Sequence, residues 1–272
     1  MSQNELIPRF LTKSQLPLIR KDINAVVKNK QYFLTLLLVP LLFTVVFPIG
    51  MVLITFMIPI DTSDFTQILA VIPESMREAD ERLSVFNLLF NMMLPLFFLL
   101  IPIMASSVMA ASSFVGERQK HTLETLCYTP LTIKQIFQAK VYAAVVMSLS
   151  VTYGGFIVMI VVVNIVLGFL GQNSALPNLT WIFVLILLVP ALSLLTIVLI
   201  VKTSVKSKSI EEAQQKSVFF VLPIIMVLLS QFSGLFLINQ WIFGVIGIVL
   251  LTLSLVVLQK SMGKYTYERV LK

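Results

Sequence analysis

The residues best equipped for chemistry in this 272-residue chain are few, and their spacing excludes most catalytic sites. One histidine, His121, and one cysteine, Cys127, cannot assemble a zinc site, and no His-Glu-x-x-His segment occurs. Gly263-Lys264 lacks the upstream glycine of a phosphate-binding loop, so the chain is not expected to bind ATP in that way. Asp61 and Asp64 pair two carboxylates without the further acidic motif of lipid phosphotransferases, and read as the start of a solvated loop. The expectation is a non-catalytic protein that binds no metal or cofactor of its own. The chemistry that remains is recognition, and it concentrates between Phe114 and Thr132. That segment carries Gly116-Glu117-Arg118, Thr122-Leu123-Glu124, Leu126 and Pro130-Leu131-Thr132. Thr122 can cap a helix whose first turn holds Glu124, where a carboxylate favours the helix dipole. Pro130 disfavours helix at the residue before it and stops that helix after about two turns. Thr132 and Gln135 have capping-box spacing and start the next helix. Leu123 and Leu126 would form an apolar side that so short a helix cannot bury alone, so it needs a partner surface.

The elements that position this segment must lie in lipid. Charged residues make up 12% of the chain, about half the share a soluble domain needs to cover its surface, and 58% are hydrophobic. Six charge-free runs are each long enough for the roughly 20 residues that cross a bilayer. They are Tyr32–Ile60, about Val85–Val115, about Val141–Leu170, Leu179–Val201, Val218–Ile238 and Trp241–Gln259. The first three exceed the minimum and must tilt, kink or continue past the core. Pro40 and Pro48 in the first and Pro95 and Pro102 in the second offer kinks. The fold expected is all-α and polytopic: a segment 1–31, a six-span domain 32–259 and a tail 260–272. A cleaved leader is not expected, because the first run is far longer than a signal-peptide core.

The formal charge of +7 divides by segment. Residues 1–31, 116–140, 202–217 and 260–272 hold 18 of the 20 basic residues, and the first outer loop holds six of the 13 acidic ones. This places both termini and the second and fourth loops in the cytoplasm. Because the basic residues are juxtamembrane strips, nucleic acid is not an expected partner; membrane lipid is. Between Ser14 and Lys30, Ile19, Ile23, Val26 and Val27 recur at helical spacing, with Arg20, Lys21, Asp22, Asn24, Lys28 and Asn29 on the other face. That predicts an amphipathic helix at the interface, apolar side in lipid. Ser209 and Glu212 form a second capping-box spacing before the fifth span, and Lys202, Lys206, Lys208 and Lys216 beside it suit headgroups.

The Gly116–Thr132 segment resembles the first cytoplasmic loop of the six-span permeases of type-2 ABC exporters. The likeness rests on Gly116, Glu117, Arg118, Thr122, Leu123, Glu124, Leu126, Pro130, Leu131 and Thr132, on the basic helix before the first span, and on Glu211-Glu-Ala-Gln-Gln215. His121 stands where members often have Gly, and Val218–Gln259 leaves little room for the re-entrant helices that many have. The resemblance implies that the short helix is a coupling helix, docked by Leu123 and Leu126 on a separate ATPase subunit. Glu117 and Arg118 would be polar contacts or stabilise the elbow. It further implies a second permease as partner, ATP and magnesium held by the ATPase, and a bacterial plasma membrane as the setting.

No run contains an ionisable residue, which argues against a carrier driven by protons or sodium. Asn87, Asn91, Ser106, Tyr153 and Asn164 are the polar groups that could line a path between two protomers, or equally bond helix to helix. Gly154-Gly155 and Ala143-Ala144 would let the third span pack closely. An exporter of amphipathic or hydrophobic cargo (peptide, drug, lipid or lipid-linked polymer) is the expected function. A non-transporting immunity or assembly factor and an ATP-independent carrier are the alternatives.

Overall fold

The computed structural model describes residues 13–57, 81–119, 131–204, 207, 209–232 and 240–263. It is all-α, with no strand among the described residues. Six helices are long and apolar enough to cross a membrane: Lys30–Met57, Arg82–Gln119, Ile133–Phe169, Leu179–Ser204, Ile210–Ser230 and Gln240–Ser261, here spans one to six. The chain is a multi-pass membrane protein. Spans two and four are enclosed, with 78% and 72% of their most apolar stretches buried, against 22–28% for the four that surround them. Span three has 37 residues, about 55 Å at 1.5 Å per residue, and the hydrocarbon core is about 30 Å thick. It therefore extends well past the core.

Spans two and three run further than the charge-free runs suggest, and this corrects the expectation of uncharged helices. Span two continues through Glu117 and Arg118, and span three begins eight residues before Val141 and so includes Lys134 and Lys140. These charged ends meet at one end of the bundle, beside a helix at Leu16–Val27. We refer to it as the basic end. The Thr132 capping box forms: Thr132 N–H donates to Gln135 Oε1 at 2.9 Å, and Gln135 N–H to Thr132 Oγ1 at 3.3 Å. Ser209 Oγ likewise accepts from Glu212 N–H at 3.1 Å.

The N-terminal helix forms as its spacing predicts, and protein covers part of its apolar side, while Leu16 and Val27 stay exposed. Leu18 and Ile19 pack on Ala139 and Ala143 of span three, and Val26 joins a cluster with Leu36, Val108 and Val141. Asp22, placed by the sequence reading on the polar face, lies on the buried stripe between Ile19 and Val26 and is 4% exposed. Gln15 Nε2, just before the helix, donates to Gln135 O at 2.8 Å and fixes its start to span three.

Proline acts in these spans by widening a turn. Leu42–Val46, Leu89–Met93 and Val184–Leu188 are π turns, each followed two residues later by Pro48, Pro95 or Pro190. A proline ring clashes with the carbonyl four residues back, and an extra residue in that turn relieves the clash. The widening orphans a carbonyl. Leu94 N–H bonds to Leu89 O and Pro95 has no N–H, so no helical donor reaches Phe90 O. Trp181 Nε1 donates to it at 3.2 Å. By the same logic Val189 N–H turns back to Val184 O and leaves Leu185 O, to which Tyr153 OH donates at 3.0 Å. The indole of Trp181 also sits among Phe90, Phe98 and Phe156, ring centroids 5.1–5.9 Å away.

A second clamp ties the two enclosed spans to span three. Pro102 O accepts from Ser106 Oγ at 2.6 Å and from Ser148 Oγ at 3.1 Å, and Ser148 and Ser193 share a hydroxyl bond of 3.0 Å. Small residues do the rest. Ala143 and Ala144 are fully buried. A Cβ on Gly155 would come within 3.0 Å of Thr44 Cγ2, whereas Gly154 faces open space. On span six a Cβ at Gly247 would lie 2.7 Å from Leu187 Cβ. Gly247→Val is therefore expected to push spans four and six apart and destabilise by about 1–3 kcal/mol, the usual cost of overpacking. Gly154→Ala is expected to leave the melting temperature of the detergent-purified protein unchanged. Equal melting of the two variants would contradict this packing.

Candidate functional site: a buried charge cluster at the mounts of the second loop

Glu117 follows a fourth π turn, Ala111–Val115, and holds the offset that proline holds after the other three. There the helix carries a carboxylate, 9% exposed, into a cluster of four charges. Lys140 Nζ lies 2.5 Å from Glu117 Oε2 and 3.4 Å from Asp22 Oδ2. It also donates to Ser113 O at 2.9 Å, inside the widened turn. Ser113 Oγ donates to Asp22 Oδ2 at 2.6 Å, and Lys21 Nζ to Glu117 Oε1 at 2.7 Å. The Phe114 ring lies under Lys140 Nζ, 5.7 Å from ring centroid to nitrogen, a cation–π distance.

Two lysines face two carboxylates, so the cluster is formally neutral. Lys140, Asp22 and Glu117 are nearly all withdrawn from solvent, while Lys21 is 52% exposed and caps the cluster from outside. Charges taken out of water are tolerated only when mutually compensated and hydrogen-bonded, and here each has two or more polar partners or an opposed charge. The cluster joins three elements: the N-terminal helix, the end of span two and the start of span three.

The flanking motif residues reach the remaining elements. Gly116 leaves room for Ile210, whose Cδ1 would be 3.2 Å from an added Cβ. Arg118 Nη1 donates to Ser204 O at 3.4 Å, at the end of span four. Leu131, at the far side of the loop, packs on the Leu18, Ile19, Ala139 and Ala143 cluster. Thus the described residues on either side of segment 120–130, Glu117 and Leu131, both meet clusters that include the N-terminal helix. Thr122, Leu123, Glu124, Leu126 and Pro130 lie outside the described residues.

The five path candidates are dispersed. Ser106 is fully buried and bonds to its own helix and the Pro102 carbonyl. Tyr153 caps Leu185 O, as above. Asn164 exchanges two bonds with Ala175, its Oδ1 accepting from the backbone N–H at 2.8 Å and its Nδ2 donating to the carbonyl at 3.3 Å. Asn91 Oδ1 accepts from Asn178 N–H at 3.1 Å, and Asn87 is half-buried one turn away. Asn91 and Asn164 thereby pin the 172–178 connection at the end opposite the cluster. None of the five lines the apolar cavity beside Gly50 and Met93 or the one between Leu192 and Ile224.

Lys21, Asp22, Ser113 and Lys140 were not singled out by sequence. The signal was present for two of them. Asp22 stands three residues after Ile19 and four before Val26, and Lys140 stands three after Phe137 and four before Ala144; each interrupts an apolar stripe. Searches against protein-family models and curated proteins find no match to this sequence.

Proposed function

We propose that this chain is the membrane-spanning permease half of an ATP-driven exporter, and that segment 120–130 is its coupling element. The observation that carries the reading is the double mounting of that segment. The residues that flank it, Glu117 through the charge cluster and Leu131 through its apolar contact, are held against the N-terminal helix and span three, which would carry a motion delivered there into the bundle. The sequence resemblance supplies the partner: a separate ATPase subunit that holds ATP and magnesium, docked on Leu123 and Leu126. In this reading the basic end is cytoplasmic, and Glu117 stabilises the elbow rather than touching the ATPase. A second permease, the same chain or a similar one, completes the path. Cargo would be amphipathic or hydrophobic, in keeping with spans whose charged residues stand only near their ends.

The test is co-purification and transport with the candidate ATPase, taken from the genes beside this one. Leu123→Asp is expected to abolish ATPase association while the permease keeps its melting temperature. Unchanged association and transport would remove the coupling assignment and favour an immunity or assembly factor.

A further inference from the structure

The bundle holds an apolar cleft of about 230 Å³ that the proposed function does not use. Its walls include Leu96 and Leu99 of span two, Leu192 of span four, Ile224 of span five, and Phe243 and Leu250 of span six. Every lining side chain is apolar. Water needs two or more polar partners to occupy such a space, and an apolar cavity of about 150 Å³ already admits a benzene-sized ligand. The occupant must therefore be apolar. In a bilayer the molecules at hand are acyl chains.

Charge at the basic end indicates which chain. Leu188, Leu192 and Leu195 line the cleft, and the exposed Lys202 follows Leu195 by seven residues, two turns along the same face. On span five, Lys216 precedes the lining residue Phe220 by one turn. Its Nζ bridges Ser207 Oγ at 2.7 Å and Glu212 Oε1 at 3.2 Å, at the basic mouth between spans four and five. Leu192 and Lys202 are 10 residues apart, about 15 Å of helix, the depth of one leaflet's hydrocarbon. A lipid with its phosphate at Lys202 would reach Leu195 and Leu192 in the cleft with its tail.

We propose that this cleft is a binding site for one acyl chain of an anionic phospholipid from the leaflet at the basic end, with Lys202 at its headgroup. The site is independent of the exporter reading. It gives span five an apolar filler where it adjoins spans four and six.

The test uses the full chain in nanodiscs containing a phosphatidylglycerol with a diazirine in its acyl chain, or a phosphatidylcholine with the same chain. After irradiation, crosslinked peptides are mapped by mass spectrometry. The expected result is labelling at Leu192 and Ile224 that exceeds labelling at the outward-facing Ile186 and Phe219, and is about fivefold stronger from the glycerol lipid, the effect of one lysine near the headgroups. Leu192→Trp, which fills the cleft, should remove the cleft labels and keep those at Ile186 and Phe219. Lys202→Gln should equalise the two lipids. Wild-type labelling no stronger in the cleft than outside overturns the site without reference to any variant. Cleft labelling that is equal from both lipids overturns the headgroup assignment.

Discussion

Lys140→Met is expected to cost the folded protein about 3–5 kcal/mol, the range seen when one partner of a buried ion pair is removed. The loss is large because the ammonium faces both buried carboxylates. Without it Asp22 keeps the Ser113 hydroxyl and Glu117 keeps Lys21, but one negative charge is left uncompensated in a site nearly closed to water. Lys21→Ala should cost under about 1 kcal/mol, since that lysine is half-exposed and screened. The neutral triple variant Asp22→Asn, Glu117→Gln, Lys140→Met should recover most of the stability, because a buried pair barely outperforms its uncharged replacement. Thermal melts in detergent, read for all three, decide the matter. If Lys140→Met and Lys21→Ala lose stability equally, the cluster is a surface feature and its mounting role fails. In an exporter the triple variant should hydrolyse ATP with its partner subunit yet transport poorly, because hydrogen bonds between amides hold an elbow less firmly than opposed charges.

How much of this was legible in the sequence follows from what each signal measures. Charge-free length located all six spans, since lipid penalises any ionised group wherever the chain crosses it. The same criterion shortened spans two and three, because Glu117 and Lys140 neutralise one another inside the helices that carry them. Local capping at Thr132 and Ser209 was readable, as it involves residues three apart. Asp22 with Lys140 was not, as the two are 118 residues apart and only the packing of Leu18 and Ile19 on Ala139 and Ala143 brings them together. Hydropathy cannot distinguish an apolar stripe that meets lipid from one that meets a neighbouring span, so the packing of Leu18, Ile19 and Val26 on the spans was not legible in the N-terminal helix. Asn91 and Asn164 were visible as polar residues in apolar runs. Their partners, the backbone N–H groups of Asn178 and Ala175 on the connection 172–178, could not be read from composition.

Trp181→Phe is expected to cost about 2–4 kcal/mol with all charges left in place, from a lost buried hydrogen bond and a smaller ring. The argument rests on the orphaned Phe90 carbonyl. Hydrocarbon offers no donor to replace the indole, so the carbonyl stays unsatisfied in the variant. Tyr153→Phe removes the matching donor from Leu185 O, but Tyr153 is 38% exposed and its ring is retained, so about 1 kcal/mol is expected. Ring packing alone could explain a loss at Trp181, and Pro95→Ala separates the two causes. Alanine supplies the N–H that Pro95 lacks, five residues beyond Phe90, and lets the π turn satisfy its own carbonyl. In that background Trp181→Phe should cost about 1–2 kcal/mol less than in the parent, a coupling readable in a double-mutant cycle of melting curves. Additive losses would mean that the indole N–H is incidental and that Trp181 acts through Phe98 and Phe156 alone. A coupled result would make proline and tryptophan, 86 residues apart, a single device: one widens the turn of span two, and the other fastens the start of span four to the carbonyl thus exposed.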